Sequence, residues 1–152
     1  MKLLLTFLFF IIPTLSFSQN NVTNQASNAN YASFIMYHRF GDSRYPSTNI
    51  KKEQFLKHIN ELIKPKYNVI SIEKAYLAIN NIEPTKDRSV VITIDDAYSS
   101  VYKYAWPVFK KYSLPFTLFV STDVVDNKTP GYMNWEQIRI LRDHGVTIGS
   151  QT

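Results

Sequence analysis

The sequence predicts an α/β protein built on parallel strands, and three observations carry that prediction. Short apolar runs alternate with amphipathic helical stretches from about Ala32 onward, the order that gives parallel strands joined by right-handed crossovers. The runs are apolar at consecutive positions, as strands covered on both faces are. The clearest of them, Ser89 to Ile94, is rich in β-branched residues and runs straight into two adjacent acids, Asp95 and Asp96. The alternation alone fits a barrel and an open sheet equally.

The first segment reads as an address rather than as fold. Lys2 supplies a positive start, Leu3 to Leu15 is apolar apart from Thr6, Pro13 and Thr14, and Ser16-Phe17-Ser18 has small residues where a signal peptidase reads. That layout predicts a secretory signal peptide over 1–18 and an exported protein, periplasmic or extracellular. The run is short for the ~20 residues a bilayer span needs. Residue 19 is Gln, which excludes lipid attachment to a cysteine there. Gln19 to Asn30 is rich in Asn, Gln and Ser and predicts a polar, flexible leader. The folded domain is expected over 31–152.

Within it, Ala32 to Tyr37 reads as a buried strand ending at His38, and Phe40 to Ser47 as a loop. Phe55, Leu56, Ile59, Leu62 and Ile63 keep helical spacing, so a helix is predicted over Lys51 to Lys64, with Thr48 or Asn49 to cap it and Pro65 to stop it. A strand over Asn68 to Ser71 and a helix over Ile72 to Asn80 follow. Beyond the acids, Ser99 to Tyr112 reads as a helix that tolerates Pro107 through a kink or a late start. Phe116 to Val120 is a strand, and Thr122 to Met133 a long connection. Asn134 and Gln137 form a capping box for a helix over Trp135 to His144, which Gly145 ends. A last strand spans Val146 to Ser150. With no helix after it, an apolar edge would stay open, so the chain is expected to be the first part of a larger domain.

Composition narrows the function. Hydrophobic residues at 45% and charged residues at 19% fit a globular protein. The absence of cysteine excludes disulfides, a thiol nucleophile and a cysteine metal site. The net charge of +5 comes from scattered Lys and Arg, with no run resembling a nucleic-acid patch. Such a balance reads as a solvated face, or as an aid in meeting anionic cell-surface polymers.

Asp95 and Asp96 stand where a parallel sheet carries its active site, at the carboxyl end of a strand. Neighbouring carboxylates repel, and a cation or a shared proton relieves them. A metal held by one acid leaves the other free as a base. In the bland alternative one acid caps the next helix and the other is solvated. A phospho-acceptor receiver module also sets acids after a strand, but it expects them after the first strand. It also expects a further acid two strands on, whereas Phe116 to Val120 ends without one.

Around this pair the chain resembles the polysaccharide deacetylase (NodB-homology) family. Thr93-Ile94-Asp95-Asp96-Ala97 is similar to its first motif, Thr-Phe-Asp-Asp-Gly. Met36-Tyr37-His38-Arg39 resembles the strand that opens many members, and Leu114 to Val120 the strand after the motif. Trp135-Glu136-Gln137-Ile138, then His144 to Ser150, resemble the approach to the second motif. The resemblance implies a distorted (β/α)7-type barrel, here cut after about five or six strands, that hydrolyses N-acetyl groups on a carbohydrate polymer. It makes Asp95 the general base and Asp96 a ligand of a divalent metal, zinc by family habit. The second motif, His-Ser/Thr-x-x-His, meets Gln151-Thr152 in this chain. Gln151 would then be a weak, neutral ligand in a position where zinc sites use His, Cys, Asp or Glu. With the later motifs absent, the chain alone is expected not to turn over substrate. The rival reading is a non-catalytic carbohydrate-binding protein on the same fold.

Other candidates follow from position. His38 ends the first strand on the side of Asp95, as a substrate contact, a supporting partner or a structural histidine. Tyr98 is near enough to face the cleft, as an aromatic to stack on a sugar or as a supporting partner of the site. His58 lies opposite the apolar stripe of its helix and reads as surface; His144 sits at a helix end and reads as structural.

Overall fold

The computed structural model describes residues 28–151. The expected signal peptide and most of the leader lie outside them. In chain order the elements are β1 (Asn28–Ala29), β2 (Ser33–Tyr37), β3 (Arg39–Phe40), β4 (Asn49–Ile50), α1 (Lys52–Leu62), β5 (Asn68–Ile70), α2 (Ile72–Ile79) and β6 (Thr85–Lys86). Then come β7 (Ser89–Ile94), a π-helical turn (Val101–Ala105), α3 (Trp106–Lys111), β8 (Thr117–Ser121), α4 (Thr122–Asp126), α5 (Trp135–Asp143) and β9 (Thr147–Gln151).

The predicted parallel architecture holds. A five-stranded sheet runs β2-β7-β8-β9, with β5 also on β7, and every pairing in it is parallel. β7 is the hub and is buried at all of its positions, as its unbroken β-branched run requires. Alternate residues point to opposite faces. Val90, Ile92 and Ile94 share one core cluster with Phe55, Ile59 and Leu62 of α1, Val101 and Ala105 of the π-helical turn and Phe109 of α3. Each large side chain fully buried there contributes about 1.5–3 kcal/mol. On the other face α2 covers only the N-terminal end: Ile70, Ala75 and Val91 form a second cluster, and the Thr147 hydroxyl donates to Glu73 Oε1 at 2.9 Å. The rest of that face stays open, with Phe34 and Met36 at 50% and 60% exposure.

Several local expectations are corrected. Asn28–Ala29, in the stretch expected to be a flexible leader, pair antiparallel with β6. Neither Thr48 nor Asn49 caps α1; its N-cap is Lys51, with no side-chain bond. Asn49 is occupied elsewhere, because β4 pairs with β3 and Asn49 Oδ1 accepts from the Asp42 N–H at 2.8 Å. The expected loop therefore begins with a strand residue, Phe40. Pro107 falls in the first turn of α3, directly after a π-helical turn, so the chain is helical on both sides of the proline and changes its hydrogen-bond register there. The π-helical turn before it joins the Trp106 N–H to the Val101 carbonyl. α4 occupies the start of the expected connection after Thr122; one turn is too short to leave a periodic signal. The capping box of α5 is present as predicted.

Candidate active site

The pleat and the register assemble the site. β2 pairs with β7 so that Tyr37 faces Ile94, and one rung further His38 comes beside Asp95. The Asp95 N–H extends that ladder, donating to the Tyr37 carbonyl at 2.9 Å. β9 pairs with β8 so that Gln151 faces Ser121. Gly149 makes the approach possible: a Cβ there would sit 2.5 Å from the Phe119 ring. His38, Asp95 and Gln151 thus share the open end of one face, the C-terminal end of the strands.

The acids sit on a tight turn. Asp96 and Ala97 both have left-handed backbone, φ 69° and 52°, which costs roughly 1–2 kcal/mol for an L-residue. Surrounding hydrogen bonds hold the turn in place. The Met133 N–H donates to the Ala97 carbonyl at 2.9 Å and the Ser99 N–H to the Gly131 carbonyl at 2.8 Å. The Phe40 N–H donates to Ser100 Oγ at 3.1 Å. The Asp96 N–H donates to Gln151 Oε1 at 3.1 Å.

Electrostatics distinguish the acids. Burial pushes the Asp95 carboxyl above the usual carboxylate range; His38 opposes that shift and the Asp96 charge adds to it. His38 Nε2 lies 3.9 Å from Asp95 Oδ2, with both side chains about one-fifth exposed or less. That spacing suits attraction to an imidazolium and is too long for a direct hydrogen bond. Asp95 is therefore a sheltered carboxylate of raised proton affinity beside a titratable ring.

Tyr98 does not line the cleft. It is 8% exposed, its ring is covered by the Arg39 guanidinium at 3.6 Å and by the Tyr132 ring at 4.6 Å. Burial raises its hydroxyl well above the ordinary tyrosine value, helped by bonds to Tyr132 and Asp96. No ring face is left for a sugar, so its part is to wedge the acid turn. Arg39, Ser100 and Tyr132 brace the same turn and escaped the sequence reading. Arg39 is also stacked on Tyr45 at 4.0 Å and donates to Thr48 Oγ1 at 2.6 Å. Its place directly after His38 was the only signal. His58 is half-buried rather than surface, its Nδ1 3.0 Å from the Tyr37 hydroxyl. His144 is exposed and structural, Nδ1 facing the Ile140 carbonyl at 2.8 Å.

The donors among the described residues do not make up a zinc set. Among the described residues no group of three or more His, Cys, Asp or Glu side chains is gathered to hold a metal ion. Asp96 offers one carboxylate, and the Gln151 oxygen already accepts a backbone hydrogen bond, whereas zinc sites take three or four His, Cys or carboxylate ligands. Also among the described residues, no helix is long and apolar enough to cross a membrane.

Comparison with known proteins matches this geometry to one group. The model of the polysaccharide deacetylase family matches residues 82–152, which include β7, the acid turn and β9. Bacillus subtilis YxkH, named only provisionally as a polysaccharide deacetylase, is 29% identical over 118 residues, 78% of this chain and 41% of that protein. IcaB from Ammonifex degensii superimposes with a TM-score of 0.70 at 28% identity, over 83% of this chain and 54% of its own. A de-N-acetylase from Aggregatibacter actinomycetemcomitans gives a TM-score of 0.70 at 24% identity, over 80% of this chain and 54% of its own. The chain thus spans about half the length of these relatives, and its sheet has the fold of their β/α-barrel domains.

Proposed function

We propose that the protein removes N-acetyl groups from a carbohydrate polymer, a reading supported by the match of the polysaccharide deacetylase family model to residues 82–152. The observation that carries this reading is Asp95, sheltered at the open end of the sheet with its proton affinity raised by burial. A base of that kind takes a proton from an attacking water more readily than an ordinary surface carboxylate does. His38 Nε2 lies 3.9 Å from Asp95 Oδ2 and sets a polar ring beside the carboxylate. The left-handed turn at Asp96 and Ala97 fixes the direction in which Asp95 points. The family implies a divalent metal; with the donors described here, the steps assigned to this chain are orientation and proton transfer. The basic, apolar opening of the sequence, Lys2 to Ser18, supports action outside the cytoplasm. N-terminal sequencing of the exported protein should begin at Gln19.

Acetate release from N-acetylglucosamine oligomers tests the reading. Asp95→Asn in the intact protein should lower the rate about a hundredfold or more, the usual weight of a general base. An unchanged rate would remove Asp95 from the chemistry. The Gln151 oxygen bound to the Asp96 N–H favours a second reading, a carbohydrate-binding protein without catalysis. Oligosaccharide binding with no acetate release from the wild-type protein would select it.

A further inference from the structure

We propose that Gln151 is a positioning residue that locks the acid turn through its side-chain oxygen, and that it is not a metal ligand. The Asp96 N–H belongs to a residue in left-handed backbone, φ 69°. It needs an acceptor, because an unpaired amide there costs free energy. No backbone carbonyl meets it; Gln151 Oε1, 55 residues away in sequence, does so at 3.1 Å. β8 sets the reach, since the pairing of Ser121 with Gln151 brings the last residue of β9 level with the turn.

The same contact decides what Gln151 can do for a cation. A neutral amide oxygen is a weak ligand, and here part of its acceptor capacity is already taken by the Asp96 N–H. With one lone pair of that oxygen engaged by the Asp96 N–H, only the second is left for a cation, and a neutral amide holds a metal weakly. Gln151 thus stabilises the geometry of the carboxylate pair through hydrogen bonding, a task that does not depend on the deacetylase reading.

Amide hydrogen exchange at Asp96, followed by NMR in the full chain, reads the lock directly. Gln151→Met keeps the length and removes the acceptor, so the Asp96 amide should exchange roughly fivefold faster, the weight of one hydrogen bond. Amides of β8 should stay unchanged. Gln151→Glu restores an acceptor oxygen and should restore protection. Equal Asp96 exchange in Gln151→Met and wild type would overturn the lock. Zinc chloride titration by calorimetry reads the second half. Gln151→Met should bind zinc within about twofold of wild type, including the case in which neither binds, whereas losing a true ligand costs more than about tenfold. A loss of that size would overturn the proposal, and neither readout requires acetate release.

Discussion

At the scale of single residues, what the sequence revealed depended on whether a role is local. Asp95 and Asp96 announce themselves by standing at the end of a buried strand, and β7 delivers them where expected. Tyr98, two residues on, is a candidate for a substrate contact or a supporting partner, and its buried ring takes the second part, as a wedge under the turn. Its partners Arg39 and Tyr132 come from distant segments, so no spacing rule could pair them. His58 was misread for the same reason. Its partner, the hydroxyl of Tyr37, reaches it from β2 across the core. That tyrosine yields a pH prediction. Burial pushes the Tyr37 hydroxyl from 10.0 up to about 12. Between those values the unfolded chain has lost the proton and the folded one has kept it, so stability falls as pH rises. The contribution is fully present below pH 10 and gone above about 12. In Tyr37→Phe, urea midpoints should decline less steeply across that window than in wild type.

Elements obeyed the rules that are local and broke those that compete. The capping box of α5 formed because Asn134 and Gln137 are near neighbours with nothing else to bind. Asn134→Ala should therefore lower stability by about 1 kcal/mol in a urea titration. Asn49 has equal capping chemistry but a nearer claim on it, the Asp42 N–H, and α1 starts uncapped. The β8–β9 pair makes a sharper demand. A methyl at Gly149 would meet the Phe119 ring at 2.5 Å, so the ring or the strand must shift. Gly149→Ala should destabilise by about 1–3 kcal/mol, the range for overpacking. It should also weaken the Asp96 lock, since Gln151 sits two residues further along the displaced strand.

For the whole molecule, alternation of strands and helices was legible because each crossover is a local pattern. Which strands become neighbours was not, because one strand, β7, takes three partners and no sequence signal counts them. The open end of the sheet follows from that arrangement: helices cover one face throughout, α2 covers only the start of the other, and the remaining end is where His38, Asp95 and Gln151 meet. Hydrogen-exchange mass spectrometry should find Ser89–Ile94 the last segment to exchange, and the two-residue β1–β6 pair among the first. The hub also imposes a schedule on folding. β2 and β5 precede β7 in the chain and can close on it as soon as it leaves the ribosome, so a nucleus of three strands and α1 is available early. β8 and β9 leave the ribosome later and must then dock one after the other onto that nucleus. The acid turn receives its lock only in the last of these steps, so the geometry of the carboxylate pair matures after the core is built.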